Sequence, residues 1–86
     1  MIAIPDHLRS VINRDGAVVL DTPNNAMTPL NSTGAFIWDR IKSGLPLDNI
    51  VTELAHATCT DRSVVAADVD HFVAELIDRK LLVELD

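Results

Sequence analysis

The chain has 86 residues, 48% of them hydrophobic but only three aromatic, and a formal net charge of −6 at pH 7. That length makes one domain, residues 1–86, near the lower limit for a self-sufficient core, which Val, Leu, Ile and Ala must fill. The negative charge argues against nucleic-acid binding, and no apolar run is long enough to span a bilayer. Cys59 stands alone, cannot form an internal disulfide, and points to a reducing cytoplasm. Ile2-Ala3-Ile4 is too short a run for a secretory signal and lacks a basic lead.

His7 to Arg14 alternates loosely, with Leu8 and Ile12 on one face and Val11 on the other. Asp15-Gly16 offers the positive φ angles of a tight hairpin turn, and Ala17 to Asp21 reads as a β-branched strand. Pro23-Asn24-Asn25 is a second turn signal, since proline fixes φ and asparagine tolerates the left-handed region. Ala26 to Leu30 completes a three-stranded antiparallel meander. From Ser32 the period becomes helical. Asn31 is a ready N-cap, Leu30 and Ala35 can staple the first turn, and Ala35, Trp38 and Ile41 share one side. Gly44 is a helix stop and Pro46 the start of a second helix, which buries Ile50, Val51 and Leu54. Thr58 to Asp61 reads as a turn, with Thr60 or Asp61 capping a long third helix from about Arg62 to Lys80. Its core stripe is Val65, Val69, Phe72 and Leu76. Leu81 to Leu85 fits either a closing strand or a docked tail. The class is α+β and winged-helix-like: a three-stranded antiparallel sheet followed by three helices.

Chemistry-bearing residues are present but scattered. His7, His56 and His71 are far apart, and none stands at metal-ligand spacing with Cys59, so neither a metal nor a cofactor is expected. No serine sits in a glycine-flanked elbow, and Gly16, Gly34 and Gly44 do not form a phosphate-cradling loop. Catalysis is therefore not expected. Binding remains, and the third strand invites it. Pro29 cannot donate to a ladder, so it belongs where its nitrogen faces no partner strand. With Pro29 on an open edge, Asn25 and Met27 share that edge while Ala26 and Thr28 pair inward. Pro29 can equally serve only to block edge-to-edge aggregation.

The chain resembles the PqqD-like family, the leader-peptide recognition elements of ribosomally made, post-translationally modified peptides. The resemblance runs from about Leu8 to Leu82. Its pieces are Asp15-Gly16 with Val18-Val19-Leu20-Asp21, then Leu30-Asn31 with Thr33-Gly34-Ala35 and Ile37-Trp38. Further on come Gly44, Ile50-Val51, Leu54, Asp68-Val69, Phe72-Val73, Leu76 and Leu81-Leu82. The resemblance implies strand addition: a precursor's leader lies between the third strand and the third helix. On this chain that groove falls between Asn25, Ala26, Met27, Thr28, Pro29 and Leu30 and one flank of Arg62–Lys80. The implied wall is the flank holding Val64, Asp68, His71, Glu75 and Arg79, with Phe72 as floor and a leader Leu or Ile buried against Met27 and Phe72.

The implied role is a stand-alone peptide chaperone that delivers the precursor to modifying enzymes, with an affinity of about micromolar. For a lasso-peptide pathway, which is favoured, these are a leader peptidase and a cyclase; for pyrroloquinoline quinone biosynthesis the partner is a radical-SAM enzyme. Two departures bear on the register: Pro29 removes an edge donor, and the segment before Leu30 lacks the aromatics frequent in relatives. Two other classes stay open, a winged-helix DNA-binding regulator and a self-pairing structural domain. The acidic third helix, with Asp68, Asp70, Glu75 and Asp78, speaks against the first.

Overall fold

The computed structural model describes residues 2–85. The elements run β1 (Ile2–Ala3), β2 (Leu8–Asn13), β3 (Gly16–Asp21), β4 (Ala26–Asn31), α1 (Ser32–Lys42), α2 (Leu47–Thr58), α3 (Arg62–Asp78) and β5 (Val83–Glu84). Strands β2, β3 and β4 form the expected antiparallel meander in that order, and three helices follow. A second, two-stranded sheet pairs β1 with β5, Ile2 opposite Glu84 and Ala3 opposite Val83. The tail is thus a strand, and it closes on the first residues rather than on β4.

The first turn differs in detail from expectation. Arg14 and Asp15 are its central pair, and Asp15 keeps a negative φ. The Asn13 side chain shapes it instead, its Oδ1 accepting from the N–H of Asp15 at 2.9 Å and of Gly16 at 3.1 Å. Gly16 is needed for another reason. A Cβ there would lie 2.2 Å from the Leu30 carbonyl oxygen, so only glycine lets β4 approach. The second turn follows the sequence signal: Asn25 takes a left-handed φ of 52°, and its N–H donates to the Thr22 carbonyl at 3.1 Å. Asp21, buried at the end of β3, accepts from the Asn24 side chain at 2.9 Å and ties this turn down.

Burial alternates along β3 and β4, with Ala17, Val19, Thr28 and Leu30 turned towards the helices. Trp38 (1% exposed), Ile50, Leu82, Val19 and Val69 are the largest fully buried side chains. Helix α1 packs on β3 and β4, and α2 packs on α3. Asn31 caps α1, its Oδ1 accepting from the Gly34 N–H at 2.8 Å. Asp61, not Thr60, caps α3, accepting from the Ser63 N–H at 2.9 Å. Helix α3 stops at Asp78, two residues earlier than its sequence pattern suggests, and Lys80 turns left-handed at φ 64°. It buries Val65, Val69, Val73 and Leu76, while Phe72 stays half-buried beside the core.

Candidate functional site

Strand β4 is an outer edge of the meander. Its register sets Val18 opposite Pro29, Val19 opposite Thr28 and Leu20 opposite Met27. Proline has no N–H, so Val18–Pro29 is a non-hydrogen-bonded pair, and alternation fixes the rest. Ala26, Thr28 and Leu30 direct their backbone groups into β3. The Met27 N–H and C=O, the Pro29 C=O and the Asn31 N–H face outward. Asn25 does not share this edge as the sequence suggested, because its N–H is consumed by the turn.

Beside this edge lie two hollows that share Asn31 and Phe72. The first, of about 220 Å³, lies between β4 and α3 and is lined by Thr28, Pro29, Leu30, Glu75, Leu76 and Arg79 along with the shared pair.

 The second hollow of the pair, about 310 Å³, continues towards the α2–α3 turn and is lined by Thr33, Gly34, Ile37, Leu54, Thr58, Thr60, Val65 and Asp68 with Asn31 and Phe72. Gly34 lets the two meet: a Cβ there would sit 3.0 Å from the Phe72 ring.

Of the residues the sequence nominated, Thr28, Pro29, Leu30, Phe72 and Glu75 come together in the first hollow, and Asp68 joins Phe72 in the second. Val64 and His71 are exposed and line neither. Asn25, Ala26 and Met27 border a small hollow of about 160 Å³ at the β3–β4 turn. Met27 is 70% exposed on the sheet face turned away from the helices, so it cannot grip a guest side chain together with Phe72 as expected. Strand alternation carried that information, because Met27 is out of phase with Thr28 and Leu30.

The sequence reading missed Asn31, Thr33, Gly34, Thr58 and Thr60 as lining residues. The two threonines reach the hollow because Cys59 ends α2 in the left-handed region, at φ 52°. That conformation is unusual for a residue other than glycine or asparagine, so no local signal announced it.

The charges differ between the hollows. In the first, Glu75 and Arg79 pair with each other at 3.0 Å. In the second, Asp68 has no hydrogen bond or ion pair among the described residues. Asp61 holds its carboxyl below the ordinary aspartate range through the Ser63 N–H and hydroxyl. Among the described residues no group of three or more His, Cys, Asp or Glu could hold a metal, and no helix is long and apolar enough to cross a membrane. A larger hollow of about 460 Å³, lined by Ile2, Ile41, Leu45, Leu47 and Glu84, shares no residue with the groove.

A family model described as coenzyme PQQ synthesis protein D (PqqD) matches residues 16–82. The chain belongs to the PqqD family. The PqqD match covers β3, β4 and all three helices, and so both walls of the groove. Among solved structures, the chain is similar to TbiB1 in complex with the TbiA(beta) leader peptide, with a TM-score of 0.90 and 25% identity over 98% of each chain. It is also similar in fold to a lasso peptide synthetase B1 complexed with the leader peptide, with a TM-score of 0.88 and 19% identity over 96% of this chain and 98% of that one. No curated protein matches the chain.

Proposed function

We propose that this PqqD-family chain is a non-catalytic recognition protein of the cytoplasm, acting as one domain. It binds the leader segment of a ribosomally made precursor peptide as an added strand on β4 and presents it to modifying enzymes. The observation that carries this reading is the outward row of Met27, Pro29 and Asn31 backbone groups beside a groove walled by α3, with the tail engaged elsewhere by β1. Likeness to two structures that contain leader peptides supports it.

The energetics fit a carrier that must let go. Each net backbone hydrogen bond contributes about 0.5–1.5 kcal/mol, and one guest side chain buried against Phe72 adds about 1.5–3 kcal/mol. Ordering a disordered leader offsets part of this, which leaves an affinity of about micromolar. The partners we favour are the leader peptidase and cyclase of a lasso-type pathway, in keeping with the likeness to a lasso peptide synthetase B1; the second reading, in keeping with a family described by coenzyme PQQ synthesis, is the same role beside a radical-SAM enzyme.

Amide hydrogen exchange tests the binding mode, using the leader of the precursor encoded beside this chain. The Met27 and Asn31 amides should slow on binding while those of Ser10 and Ile12 on β2 do not change. Slowing confined to β2, or none at all, would overturn the assignment.

A further inference from the structure

The second hollow has a chemistry of its own. Its floor is apolar, formed by Ile37, Leu54, Val65 and Phe72, and its rim is oxygen-rich. The Thr58 hydroxyl donates to the Leu54 carbonyl at 2.8 Å, and that of Thr60 to the Thr58 carbonyl at 3.2 Å. Both threonine oxygens are thereby left as acceptors. The Asn31 Oδ1 is engaged by the Gly34 N–H, so the Asn31 amide and the Thr33 hydroxyl are the donors that remain on the rim. Asp68 supplies the one formal charge, and no cationic side chain lines the hollow. Arg62, at the start of the same helix, is held by Asp48 and Thr52 on α2.

We infer that this hollow is a specificity pocket for a lysine or arginine of the guest peptide, its aliphatic stem lying on Phe72 and Val65 and its cationic head on Asp68. The inference rests on the proposed leader binding and names a feature of the leader. A long basic side chain suits both parts of the hollow, since its methylenes cover apolar surface while its head supplies only donors. The first hollow makes no such demand, because Glu75 and Arg79 already neutralise each other.

The test is a double-mutant cycle by titration calorimetry. Each Lys or Arg of the leader is replaced in turn by Met, which keeps the stem and removes the charge, and every peptide is titrated into wild type and Asp68→Asn. One replacement should weaken binding to wild type about fivefold, within the range for a partly exposed ion pair, and leave binding to Asp68→Asn unchanged. A Glu at the same leader position should bind Asp68→Lys better than it binds wild type. If the leader protects Met27 and Asn31 yet no basic residue couples to Asp68, the pocket assignment falls and leader binding stands. If the leader does not bind at all, both fall.

Discussion

Strands β2 and β4 border the same sheet, yet they offer a visiting chain different things. By the alternation that Pro29 fixes, Ser10 and Ile12 on β2 direct complete N–H and C=O pairs outward, with no proline among them. Strand β4 has the poorer row, since Pro29 contributes only a carbonyl. What β4 has in addition is a second wall, because α3 stands beside it with Phe72, Glu75 and Leu76 lining the space between. Backbone groups alone would send a guest to β2. The side-chain pockets would send it to β4 instead, since in strand addition such pockets supply selectivity. The PqqD match, which starts at Gly16, includes β4 and leaves β2 outside.

The largest expected effect comes from Gly16. In Gly16→Ala the new Cβ would meet the Leu30 carbonyl, so β4 must move away from β3 while the β2–β3 hairpin can persist. A loss of about 3 kcal/mol is expected, lowering the thermal midpoint by roughly 15 °C. Gly44→Ala, at φ 87° with open space around the site, should cost only about 1 kcal/mol. Equal losses in the two variants would show that the close approach of β4 is not what Gly16 protects.

A smaller effect separates the edges directly. Met27→Pro removes one outward donor from β4, and Ile12→Pro removes one from β2. Neither N–H serves the ladder within the sheet, and edge strands tolerate proline, so both variants should fold. Leader affinity should fall about tenfold in the first, where a guest carbonyl loses its partner, and stay constant in the second. The reverse pattern in calorimetry would move the guest to β2.

Much of this molecule was legible from local patterns. Alternation marked the meander, helical spacing marked α1 to α3, and Asn31 and Asp61 stood where caps belong. Phe72, which the helical spacing counts in the core stripe, is half-buried and lines both hollows, and Asp68 and Glu75 line the hollows on the β4 side of α3. The misses share a cause: they depend on contacts distant in sequence or on a single backbone angle. The β1–β5 pair joins residues 2–3 to 83–84, and two-residue strands leave no periodic trace. Asn25 was lost to a turn hydrogen bond, and Thr58 and Thr60 were brought in by the left-handed Cys59. Met27 was the avoidable error, since the parity that set Pro29 on the edge also turns the Met27 side chain away from α3.

The smallest effect concerns how the groove's second wall begins. Asp61 caps α3 just before the turn of helix that carries Val65 and, beyond it, Asp68. Its carboxyl is held below the ordinary aspartate value, so the capped helix favours the ionised form. A group with a lowered folded-state value contributes stability above its unfolded value and loses that contribution as pH falls through the folded one. Asp61→Ala should therefore be less stable than wild type at neutral pH, with the gap closing below about pH 4. Urea denaturation at pH 7, 5 and 3 measures it. The same substitution should weaken leader binding slightly through the second hollow and leave β2 untouched, since only β4 depends on α3 for its wall. A gap that stays constant across the pH range would mean that the Asp61 charge does not hold the start of α3.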